Sequence, residues 1–211
     1  MKSTRKNPWK LYLLSFVITT IIFITVFLFS YSISFLVYQK ANSNVHIAKV
    51  YIQDLEGMLE NVTCTEQTLF DSSEKLDFVG DQLSLLETRF SKQDVRVLEQ
   101  KRLYSELQLA HFKIIKELNK KCDQKFIILF FFYSNSPSLQ ENSERVGYIL
   151  STFKKENPNK IMIYSFDTDL NYDIIEKLKQ DYNVTQIPEV VINEKQNLVL
   201  ENINQLEVYL E

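Results

Sequence analysis

The sequence predicts a mixed α/β protein in three parts: a single N-terminal transmembrane helix, a helical coiled-coil or hairpin stalk, and a C-terminal βαβαββα domain. Three observations predict it. Residues 11–39 carry no charged side chain and are dense in Leu, Ile, Val and Phe. Between residues 41 and 121 apolar residues return every seven positions and no proline interrupts them. From Lys125 onward the pattern changes to strand-length apolar runs alternating with amphipathic stretches.

The first part divides into a basic tail, residues 1–10, and an anchor, residues 11–39. A helix of that length, at about 1.5 Å per residue, exceeds the roughly 30 Å hydrocarbon core of a bilayer. No small-residue cleavage site follows it, which favours a retained anchor over a cleaved signal peptide. Lys2, Arg5, Lys6 and Lys10 crowd its N-terminal side while only Lys40 lies close on the other. The positive-inside rule then keeps the N-terminus cytoplasmic and places residues 41–211 outside the cytoplasm. Trp9, Tyr12 and Tyr38 suit the two interfaces. The sequons at Asn61 and Asn183 agree with that side of the membrane but are common by chance.

Composition removes several function classes. Of 24 basic residues, the five in residues 1–40 meet no acid there, so all 27 acids lie in the remainder and leave it net acidic. An acidic surface repels a phosphate backbone, and nucleic acid is not an expected partner. Only three glycines are present and no phosphate-cradling loop is among them. His46 and His111 are far apart with no Cys/His cluster, so they read as helix-surface or seam residues and no metal is expected. No cofactor and no small-molecule substrate is implied.

In the stalk, residues 40–122, one heptad position holds Leu55, Val62, Leu69, Leu76, Leu83, Phe90, Val97, Tyr104, His111 and Leu118. Its partner holds Met58, Val79, Leu86, Leu107 and Ile114, with Gln93 and Gln100 as polar interruptions. Such a repeat serves a coiled coil or a helical hairpin. Cys64 and Cys122 are equidistant from Gln93. A reversal near Ser91, with Ser91 as N-cap, would pair two helices in an arm about 30 to 40 Å high and bring the cysteines together as a disulfide. Asp71-Ser-Ser-Glu74 offers a second helix start. The rival is a straight rod that dimerises in parallel; the heptad stripe serves a homo-oligomer equally well.

In the last part, residues 125–211, "KFIILFFFY" reads as a strand buried on both faces. A helix over residues 139–155, a strand over 160–167 and a helix over 171–182, capped by Asn171, follow. A strand, turn and strand, then a short closing helix, complete the order βαβαββα. In "DYNVTQIPEVVI", Tyr182, Val184, Ile187 and Pro188 fit the phrase that ends a helix and leads through a cis proline into a strand in the thioredoxin superfamily. "FFYSNSPSLQ" is similar to the start of that family's active-site helix, above all in its disulfide-oxidase branch. The resemblance implies a thioredoxin-like domain with a peptide-binding groove at Ile187 and Pro188. It also implies that Ser136, Pro137, Ser138 and Leu139 stand at the degenerate active-site positions, with Ser136 in place of the nucleophilic cysteine and Leu139 in place of the resolving one.

Thiol–disulfide exchange needs a thiolate and a second thiol, so no catalytic residue is expected. The domain holds no histidine to activate Ser136, which reads instead as a helix N-cap with Pro137 in the first turn. The function these residues imply is a non-catalytic, membrane-tethered adaptor or scaffold whose redox-inactive head binds a partner polypeptide. The alternatives are a structural subunit of a membrane complex, assembled through the transmembrane and stalk helices, and a thiol–disulfide oxidoreductase using Cys64 and Cys122.

Overall fold

A computed structural model describes residues 8–123, 125–158 and 160–210. Lys2, Arg5 and Lys6 lie outside these, as do the side chains of Tyr38 and Lys40. The chain divides into two compact units, Met1–Ser43 and Asn44–Glu211.

The first unit is helical. Helix α1 (Pro8–Glu60) opens with Trp9–Leu36, 28 residues of mean hydropathy 2.5 with none buried, long and apolar enough to cross a membrane. The hydroxyls of Thr19, Thr20, Thr25 and Ser32 each donate to the carbonyl four residues back, at 2.8 to 2.9 Å. These four hydroxyls thereby find a partner within their own helix, as a lipid surround would favour.

The second unit begins with the end of α1. Ala48 and Leu55 are buried there, and Val62 continues their spacing of seven. Helix α2 (Glu66–Arg89) starts at Thr65, whose extended backbone turns its Oγ1 to accept from the Thr68 N–H. The expected start at Asp71 falls inside the helix instead, where the Ser72 hydroxyl bonds back to the Thr68 carbonyl at 2.8 Å. The chain reverses over residues 90–94, and helix α3 (Val95–Lys121) is capped by Asp94 rather than Ser91. Asp94 takes that place because Arg96 forks onto its carboxylate at 2.6 and 2.8 Å while the Arg96 N–H supplies the cap bond. Arg96 holds that carboxyl down to about 2.

The reversal makes α2 and α3 a hairpin, of about 36 and 40 Å from their 24 and 27 residues. Cys64 and Cys122, just outside its two ends, form a disulfide with Cα atoms 5.6 Å apart. Gly80 on α2 lies so close to α3 that a Cβ there would meet the Tyr104 hydroxyl at 3.0 Å.

Four strands form one mixed sheet in the order β2-β1-β3-β4. Strand β1 (Ile127–Tyr133) pairs in parallel with β2 (Ile161–Asp167), Phe130 opposite Tyr164. It pairs antiparallel with β3 (Glu189–Ile192), Phe132 opposite Glu189. Strand β4 (Gln196–Leu198) follows β3 through a three-residue turn, Asn193 to Lys195, whose first two residues are at positive φ. Helices α4 (Gln140–Glu156), α5 (Asp173–Asp181) and α6 (Asn204–Glu207) complete the unit. The N-cap of α5 is Tyr172, not Asn171.

Because β1 side chains alternate, they feed two cores. Ile128, Phe130 and Phe132 join α3, α5 and Tyr164, whereas Leu129 and Phe131 join α4, α6 and Val190. The unbroken apolar run is thus buried on both faces. One outcome departs from the expected stalk. Helix α3 carries a second buried stripe, with Lys101, Gln108, Phe112 and Ile115, that packs on the sheet, so the hairpin is a layer of the same unit as the strands.

The disulfide closes a loop with a sequence separation of 58, which contributes about 4 kcal/mol in the chain-entropy account. Reduction, or Cys64→Ser with Cys122→Ser, is expected to lower the thermal midpoint by on the order of 10 °C. A non-reducing gel of intact membranes should show both thiols protected at monomer mass.

Candidate functional site

The C-terminal ends of β1 and β2 and the start of β3 lie at one end of the sheet, which collects the residues singled out by sequence. Ser136 opens a turn: its carbonyl accepts from the Leu139 and Gln140 N–H groups at 3.0 and 2.9 Å. It does not cap α4; Leu139 sits at the N-cap with no side-chain bond. The Ser136 Oγ instead pairs with the Ser134 Oγ at 2.7 Å, and Ser134 donates to Asp169 at 2.8 Å. Pro137 and Ser138 are exposed. The Ile187-Pro188 bond is cis. Since Glu189 pairs with Phe132, Pro188 comes level with Tyr133, beside the strand that leads to Ser136. Glu189 itself is buried, its carboxylate accepting from the Thr185 N–H at 3.0 Å.

Beneath this turn lies a buried ionic cluster that the sequence did not reveal. Lys101 of α3 is 3% exposed and Asp167, the last residue of β2, 4%. The Lys101 ammonium donates to Asp167 at 2.6 Å and reaches Glu87 of α2 at 3.0 Å. The same Asp167 oxygen accepts from the Asn135 side chain at 2.7 Å, and Lys92 from the α2–α3 turn donates to Asn135 at 3.0 Å. Burial alone would pull the Lys101 pKa down; the hydrogen bonds and charges of Asp167 and Glu87 outweigh it and raise the value. The ammonium is therefore a fixed charge, unable to serve as a base.

A second polar cluster sits farther along α3. His111 takes the seam place its heptad assigns and is buried. Its Nδ1 meets the Tyr164 hydroxyl at 2.8 Å and its Nε2 the Ser73 hydroxyl at 3.2 Å. Burial, aided by the charge of Lys154, lowers its pKa to about 3. An imidazole this weakly basic is poorly matched to deprotonating a serine, so the Ser–His contact reads as a satisfied core hydrogen bond.

The chemistry open to the site follows from these facts. Ser136 has a hydroxyl chain ending in a carboxylate, with no imidazole in it. Cys122, disulfide-bonded, precedes β1 and so lies at the opposite end of a seven-residue strand, about 20 Å away. Among the described residues no group of three His, Cys, Asp or Glu gathers as a metal site would need. Asn61 and Asn183 are both exposed.

Together these features define a mixed α/β protein, mostly helical, with an N-terminal helix able to span a membrane. No known protein family matches the chain, and neither does any curated protein.

Two expectations follow. Lys101→Met leaves Asp167 buried without its cation, so unfolding by denaturant should show a loss of about 3 kcal/mol or more. For His111, the unfolded imidazole titrates near 6.5 and the folded one near 3. The unfolded chain therefore binds more protons throughout that window, and stability falls as pH drops below about 6.5. A loss of about 2 kcal/mol between pH 7 and pH 5 is expected, and His111→Gln should flatten that slope.

Proposed function

We propose that this chain is a membrane-tethered, extracytoplasmic, non-catalytic adaptor whose C-terminal domain is thioredoxin-like and binds a partner polypeptide beside Pro188. The observation that carries this reading is an exposed turn at Pro137 and Ser138 at the same sheet end as Pro188, which leads into β3, with no thiol there. The strand order, a parallel β1 and β2 flanked by an antiparallel β3 and β4, supports the thioredoxin resemblance. So does the placement of α4 and α5 in the cores of opposite faces. A proline without an N–H, held at the start of a strand, leaves the neighbouring backbone free to pair with an extended peptide. With serine at position 136, such capture is reversible, because a hydroxyl forms no mixed disulfide. The Cys64–Cys122 bond, tied to the hairpin ends, acts as a staple.

Ser136→Cys tests the site. Alkylated with a benzophenone maleimide and irradiated in intact membranes, it should trap a partner as a photo-crosslinked adduct, whereas Ser151→Cys, exposed on α4 and labelled likewise, should not. Equal trapping by both, or none, removes the groove from the proposal. Exchange by the wild-type chain on a model disulfide peptide would end the non-catalytic reading.

A further inference from the structure

A groove of about 570 Å³ runs along the outer edge of β2, separate from the turn at Ser136. Its floor includes Ile161 and Ile163, one wall is α2 with Glu66, Phe70 and Asp77, and Lys154 of α4 stands on the other side. Strand β2 is an edge strand. The Ile127 N–H donates to the Lys160 carbonyl and the Thr168 N–H to the Tyr133 carbonyl, both at 2.8 Å. Even-numbered residues of β2 therefore face β1, and odd-numbered ones present their N–H and C=O outward.

At Ser165 that outward pair is already taken. The Gln108 side-chain amide donates to the Ser165 carbonyl at 2.9 Å and accepts from the Ser165 N–H at 2.6 Å, the two bonds that a neighbouring strand would make. At Ile163, which is partly exposed, no described group takes the equivalent place, and it opens on the groove, whereas Ile161 beside it is fully buried. Unpaired edge backbone is a ready template for strand addition.

Charge identifies the occupant. Glu66 and Asp77 stand about 16 Å apart along α2, the length of a five-residue strand, and among the described residues Lys154 is the one cation in the lining. Between them Phe70 is 62% exposed. We propose that this groove receives an extended segment of another polypeptide, alternately basic and apolar, which adds as a fifth strand to the edge of β2. The site is independent of the one at Pro188.

The test titrates the full chain, in lipid nanodiscs, into a fluorescein-labelled heptapeptide of alternating valine and lysine, read by polarisation. Saturable binding is expected, about tenfold weaker when alternate peptide nitrogens are methylated and about tenfold weaker for Ile163→Pro. Ile163→Pro deletes an outward N–H while leaving the β1 ladder intact, as an edge strand tolerates. Asp77→Lys should also weaken binding, and Ser138→Trp should leave it unchanged. Equal affinity for the methylated peptide would overturn the proposal on wild-type protein alone, whether or not the proline variant folds. So would no saturation up to about 1 mM, or binding lost in Ser138→Trp. A concentration-dependent dimer abolished by Ile163→Pro would give the edge to a second copy of the chain and overturn it too.

Discussion

The burial of one ammonium group organises the second unit. Lys101 stands on α3, Glu87 on α2 and Asp167 on β2, so a single charge joins both arms of the hairpin to the sheet. Taking these ions from water costs several kcal/mol each, and the cost is offset only while every partner is in place. A slip of the hairpin by one turn, about 5.4 Å, would strand the charge. The cluster therefore acts as a register lock more than as a source of net stability. Through Asn135 it also fixes the loop that leads to Ser136.

The two edges of the sheet are handled differently. Strand β4 is three residues long, short enough to offer little to a passing strand. Strand β2 is seven residues long and is closed at its C-terminal half by Gln108 and the Lys101 cluster, but no described group pairs with its edge at Ile163. The polar side chains of α3 thus do the work of a covering strand over half of the edge.

Much of this was legible in the sequence because apolar period reports which residues are dry. The long apolar N-terminal helix and the order of strands and helices follow from such patterns, and the equal spacing of Cys64 and Cys122 about Gln93 pointed to the reversal and to their pairing. The heptad through Val97, Tyr104, His111 and Leu118 identified the seam with α2. The stripe that meets the sheet contains Lys101, Ser105 and Gln108, all buried. Polar residues leave no apolar period at those places, so the heptad alone is visible and α3 reads as part of a stalk. Local capping was misplaced for a related reason. Ser91 and Asp71 have the right side chains, but Asp94 and Thr65 have the extended backbone that a cap requires. At Ser136 the cap was again misassigned, since its hydroxyl had a nearer partner in Ser134.

The position of α3 in the chain bears on how the protein emerges from synthesis. Both of its flanks are buried, yet its partner on one side, α2, precedes it while the strands on the other side follow it. Once the hairpin has closed, Phe112 and Ile115 stay wet until β1 and β2 have been delivered. For that interval the nascent protein carries a sticky, half-covered helix. A growing chain in this state is prone to aggregation, and a holding chaperone would find its natural grip there.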